Sequence, residues 1–88
     1  MNFTRKDNSF LALDGETVAA RIDFARSGDV VSINHTGTES DYRGQGLAGR
    51  LTKYALDEIA AAGLKVKAVC PYTVKYFADH PEREGLLA

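Results

Sequence analysis

The chain has 88 residues, 44% of them hydrophobic and 26% charged, and its net charge is −1. That length bounds it to one domain with a small core, burying somewhat over ~60% of its unfolded surface, and the near-neutral charge argues against a nucleic-acid module, which would normally be basic. No apolar run approaches the ~20 residues of a membrane span, Met1–Asp7 lacks the apolar segment of a signal peptide, and a single cysteine fits a reducing compartment, so a cytoplasmic protein is expected.

Ser9–Leu13 alternates and predicts a strand, closed by the hairpin signal Asp14-Gly15-Glu16. Thr17–Phe24 predicts the returning strand, with Val18, Ala20, Ile22 and Phe24 on one face. Arg26–Asp29 is the next turn and Val30–His35 a third strand, which makes an antiparallel meander. The period then changes. Apolar residues at Leu47, Ala48, Leu51, Ala55, Leu56 and Ile59 follow helical spacing over 47–62, and Gly63 stands where a helix ends. Leu64–Cys70 alternates again and predicts a fourth strand, parallel to the third because a helical crossover separates them. Pro71 suits the first turn of a short helix that runs to about Asp79 and is closed by Pro81. The expected class is α+β: a mixed sheet of a three-strand meander plus one parallel strand, with one long helix across it and a short C-terminal helix.

The richest stretch is Arg43-Gly44-Gln45-Gly46-Leu47-Ala48-Gly49-Arg50, between the third strand and the long helix. Glycines let bare amides approach a ligand, and a helix N-terminus favours an anion, so a phosphate-bearing ligand is indicated. Gly44, Gly46 and Gly49 spell the dinucleotide pattern G-x-G-x-x-G. That pattern needs a turn directly after its strand, whereas eight residues, Thr36 to Arg43, intervene here. It also needs an acid at the end of the next strand, where this chain has Val69-Cys70. Two histidines and one cysteine, widely spaced, make no zinc site, and no metal is expected.

Arg43-x-x-Gly46-x-Ala48 resembles the R/Q-x-x-G-x-G/A signature of the GCN5-related N-acetyltransferase superfamily. With His35-Thr36, Cys70 and the ending Tyr76-x-x-x-His80-Pro81-Glu82, the chain is similar over nearly its whole length to a compact, acetyltransferase-like subgroup. One departure is Gly37-Thr38-Glu39-Ser40, where that subgroup usually carries a proline. The resemblance implies that Arg43, Gly44, Gln45, Gly46, Leu47, Ala48, Gly49 and Arg50 hold the pyrophosphate of acetyl-CoA. It also implies that the third and fourth strands splay to admit the pantetheine arm, whose amides satisfy the unpaired backbone groups. Arg43 either positions the loop or meets phosphate. Arg50 and Lys53 either reach outer phosphates or form a solvated helix face.

Cys70 immediately precedes Pro71 and so sits near a helix N-terminus, which favours the thiolate. The resemblance puts it beside the acetyl thioester, as an acetyl carrier or as part of the pocket lining. It also makes Tyr76, with Tyr72 as competitor, a proton donor to the leaving thiolate, against a plain core role. His35 ends the third strand, where an imidazole takes a proton from an attacking ammonium or simply bonds the loop. His80 reads as a helix-end contact, and Glu39 and Asp41 as outward-facing. Together these imply an acetyl-CoA-dependent transferase acting on an amine of a peptide, protein or small molecule, with no nucleic-acid or membrane partner. The rival readings are a non-catalytic acyl-CoA sensor and a small interaction domain without a ligand.

Overall fold

The computed structural model describes all 88 residues. Five strands form one sheet in sequential order: β1 (Asn2–Lys6), β2 (Ser9–Asp14), β3 (Thr17–Ser27), β4 (Val30–Thr38) and β5 (Lys65–Ala68). The first four pair antiparallel and β5 joins β4 in parallel. Helix α1 (Leu47–Ala61) makes the crossover, and α2 (Pro71–Asp79) follows β5. The mixed sheet, the crossover helix and the short C-terminal helix are as expected. The meander, however, has one strand more than the sequence predicts. Asn2–Lys6 holds a single large apolar residue, Phe3, too little alternation to read as a strand, and its charged residues suit a sheet edge.

The turns hold the strands, and two bulges set their faces. Between β2 and β3 the register moves from Ala12 opposite Ala20 to Leu13 opposite Val18, so Ala19 is an extra residue. Ala19 and Ala20 are therefore both buried, while Val18 is 36% exposed. The expected single face through Val18, Ala20, Ile22 and Phe24 breaks at this bulge. A second bulge lies between β3 and β4, where Asp23 faces His35 but Phe24 faces Ile33, leaving Asn34 as the extra residue.

Helix α1 forms because Leu47, Leu51, Ala55, Leu56 and Ile59 share one stripe, all buried against the inner face of the sheet. That face supplies Phe10, Ala12, Ile22, Val31, Ile33 and Val66. The opposite face carries Ser9, Arg21, Asp23 and His35 at the alternate register positions. There Asp23 accepts from Ser9 at 2.6 Å and pairs with Arg21 at 3.0 Å. Pro81 ends α2 as expected and also opens a 3-10 turn, Pro81–Leu86, that the sequence did not suggest. This last segment is tied down by Arg83 to Asp57 at 2.6 Å and by the Ala88 amide to the Val66 carbonyl at 2.8 Å. It thereby covers the outer edge of β5.

β4 and β5 part company at Ile33. Their pairing runs from Val30–Lys65 to Ile33–Ala68 and stops. The amides of Val69 and Cys70 both donate to the Ile33 carbonyl, at 3.1 and 2.9 Å, which turns the chain away into α2. β4 continues to Thr38 with no strand on that side.

Candidate active site

A cavity of about 400 Å³ opens between the start of α1 and α2. One wall is Gly46, Gly49, Arg50 and Lys53, and the other comes from Tyr72, Tyr76 and their α2 neighbours. The two helices meet closely here. A Cβ added at Gly49 would lie 3.5 Å from the Tyr72 hydroxyl.

The loop into α1 adopts conformations that glycine tolerates best. Gly44 has φ +80° and Gly46, the N-cap, φ +70°. No side chain caps the helix and no acid lies in its first turn. The first-turn amides are therefore left for a ligand or water to satisfy, and the helix dipole adds to their preference for an anion. Arg50 lines the cavity with its guanidinium 5.6 Å from the Phe3 ring, and Lys53 lines it while pairing with Asp57 at 2.9 Å. Arg43 turns back instead, its Nε donating to the Thr38 carbonyl at 3.2 Å, which pins the loop to the end of β4. Tyr42 pins it again through a 2.6 Å hydrogen bond to Asp14 at the end of β2.

Cys70 is the N-cap of α2, as its place before Pro71 implied, and is 7% exposed. Its thiol makes no close capping bond. Burial opposes its ionisation, but the amides of Thr73 and Tyr72 at the helix start, with Thr36 on β4, outweigh that and lower its pKa. Two buried hydroxyls stand here: Thr73 Oγ1 has no hydrogen-bond partner, and Thr36 Oγ1 has none apart from the Cys70 sulfur it faces. Orphaned polar atoms beside a thiol and a splayed strand are what a polar ligand arm would satisfy.

Tyr76 lines the cavity from α2 and is 9% exposed. Its ring stacks on His80 at 4.0 Å, and His80 Nδ1 is 2.8 Å from the Tyr76 carbonyl oxygen. Tyr72 is exposed at 38%, and the partial burial of its hydroxyl end raises its pKa. His35 is not brought into this group: it is exposed, beside Asp23, on the opposite side of the sheet. The cavity also recruits Lys75 and Asp79, paired at 2.8 Å, which the sequence reading missed. Their signal was available, since Tyr72, Lys75, Tyr76 and Asp79 recur at three- and four-residue intervals along one helical face. No comparable signal marks Thr36 or Thr73.

Comparison with known proteins agrees with this architecture. The family model "GCN5-related N-acetyl-transferase" matches residues 9–86, and the chain belongs to that family. Protein NATD1 of Gallus gallus and of Homo sapiens are each 38% identical over 52 residues, 59% of this chain. The match spans 47% and 46% of those two proteins, about half the length of each. A GCN5-like protein from Staphylococcus aureus superposes with a TM-score of 0.78 at 20% identity, covering 99% of this chain and 87% of the other. The ribosomal-protein-S18-alanine N-acetyltransferase of Escherichia coli superposes at 0.69 and 16% identity, over 85% of this chain and 53% of that enzyme. At those identities the two structures speak to the fold alone.

Proposed function

We propose that the protein binds acetyl-CoA in the α1–α2 cavity and transfers the acetyl group to an amine. The observation that carries this reading is the uncapped, glycine-led start of α1 lying in the same cavity wall as Arg50 and Lys53. Loop amides from Gly44 to Gly49 hold the pyrophosphate, Arg50 and Lys53 meet the outer phosphates, and Arg43 holds the loop in place. Bound there, acetyl-CoA supplies a thioester carbonyl to the acceptor.

The unpaired side of β4 beyond Ile33 presents backbone N–H groups to that carbonyl, as an oxyanion hole does. Cys70, Thr36 and Thr73 surround the acetyl end. The acceptor amine attacks as the neutral base, a C–N bond forms and the C–S bond breaks. Tyr76, or Tyr72 from the preceding turn, returns a proton to the leaving thiolate. The proton lost by the attacking nitrogen passes to solvent, because His35 lies on the opposite side of the sheet and does not reach the site. The cytoplasm is the matching compartment, because a lone, readily ionised thiol needs reducing conditions.

A second reading, a non-catalytic acyl-CoA sensor, is favoured by one feature: the only carboxylate lining the cavity, Asp79, is already paired with Lys75. Calorimetric titration with acetyl-CoA, with NAD as control, tests the shared premise, and binding of acetyl-CoA alone is expected. Coenzyme A release on adding amines then supports the transferase, and saturable binding without release supports the sensor. A Cys70→Ala variant with full turnover assigns Cys70 to the pocket lining; loss of turnover with binding retained assigns it the acetyl-carrier role.

A further inference from the structure

A second cavity, of about 300 Å³, lies toward the other end of α1 and shares no residue with the first. Its walls are Phe10, Phe24, Val31, Tyr54, Ile59 and Leu64. Three of these form an aromatic floor, with Phe10 centred 4.9 Å from Phe24 and 6.1 Å from Tyr54. At its rim stand Arg5 from β1, Arg26 from β3 and Glu58 from α1.

The two arginines occupy inward-facing register positions, Arg5 opposite Phe10 and Arg26 opposite Val31. Apolar residues hold most such positions along these strands. Each guanidinium makes one hydrogen bond, to a backbone carbonyl of the adjoining turn: Arg5 to Asp7 at 3.3 Å and Arg26 to Gly28 at 2.9 Å. Neither enters an ion pair, even with Glu58 on the same rim. Both therefore keep forked N–H donors free above an apolar floor, and the rim is net positive by one charge. A planar carboxylate fits that fork, and the floor takes an apolar tail. Burial, and then a hydrogen bond toward Glu58, raise the pKa of Tyr54, so its phenol stays protonated and turned to that carboxylate.

The geometry points to a second binding site, for a small amphipathic monocarboxylate whose carboxylate sits between Arg5 and Arg26 and whose aliphatic chain or aromatic ring lies on Phe10, Phe24 and Tyr54. The volume is at the small end for ligand sites and suits roughly ten non-hydrogen atoms. This inference stands apart from the acetyl-CoA reading, because none of its residues belongs to that cavity.

The test is a two-dimensional NMR titration of the whole chain with butyrate, hexanoate and octanoate, with octanol as the uncharged probe. Saturable shifts are expected at Phe24, Tyr54 and Ile59 and not at Gly46 or Tyr76. Affinity is expected to rise about fourfold per added methylene. Arg5→Gln with Arg26→Gln, both exposed and so tolerable to the fold, is expected to weaken octanoate about tenfold and leave octanol unchanged. The inference is overturned if octanoate produces no saturable shift, if its shifts centre on Tyr76, or if the double variant binds it as the parent does. Failure of acetyl-CoA to bind leaves this site untouched.

Discussion

The amide of Cys70 donates to the carbonyl of Ile33 at 2.9 Å, and that bond is where the sheet stops being a sheet. Val69 shares the same oxygen at 3.1 Å, so one carbonyl on β4 ends the pairing with β5 and starts α2. The bifurcation places the Cys70 thiol at a helix N-terminus, opposite a stretch of β4 that has no strand partner on its β5 side.

The thiol should therefore ionise more readily than an ordinary cysteine, its burial outweighed by the Thr73, Tyr72 and Thr36 groups. Alkylation by iodoacetamide followed against pH should show its half-rise below that of a free thiol. The sign for stability follows from linkage. Between the folded and the unfolded thiol pKa the unfolded chain holds more protons, so stability rises with pH in that window and is lost as pH falls through the folded value. The Tm of the parent should gain on that of Cys70→Ala between neutral and mildly alkaline pH, and parallel curves would show that the thiol is unperturbed.

Gly46 holds φ +70° with open space where a Cβ would go, so substitution there strains the backbone without a clash. Gly46→Ala should cost about 1–2 kcal/mol and weaken acetyl-CoA binding by disturbing the α1 start. Gly85→Ala, also with nothing within 4 Å and no positive φ, is the matched control and should be neutral. Urea unfolding of both variants, with calorimetry of the first, separates the strain from the ligand effect.

The bulge at Ala19 makes a prediction opposite to simple alternation. Val18→Thr, at a position 36% exposed, should change stability by under about 0.5 kcal/mol. Ala19→Leu, at a position with no exposure, should overpack the core and cost about 1–3 kcal/mol. Equal effects in chemical denaturation would mean that the bulge is absent in solution.

Arg83 ties the C-terminal turn to Asp57 on α1, with its side chain 23% exposed. The hydrogen bond from Lys53 and then that from Arg83 hold the Asp57 carboxyl below its ordinary value. The pair is half in solvent, so Arg83→Ala should cost only about 0.2–1 kcal/mol, less at high salt. Its contribution is present above the unfolded carboxylate value of ~3.9 and lost as pH falls through the lower folded value. Parent and variant melting curves should converge in acid, and a gap that persists there would assign the effect to packing instead.

Much of the candidate cofactor site was legible in the chain because its chemistry is local. Gly44 and Gly46 ahead of a helical period that includes Ala48, and Cys70 ahead of Pro71, are neighbours in sequence and in space, and their backbone geometry follows from residue type. The catalytic roles were less so. His35 and Cys70 look like members of one cluster when written in a line, yet strand alternation and the Asn34 bulge send His35 to the far side of the sheet. Thr36 and Thr73 carry no motif, and only the meeting of β4 with α2 brings them to the thiol.

Read alone, the sequence determined the class of fold, the crossover helix, its glycine-led start and the N-cap cysteine. Periodicity and turn chemistry act over a few residues, and the side chains themselves declare them. Tertiary structure alone decided the extra edge strand β1, the face of Ala19, the shared Ile33 carbonyl and the two cavities at opposite ends of α1. Each depends on which strand lies beside which and in what register, and register is settled by the summed burial of the whole core.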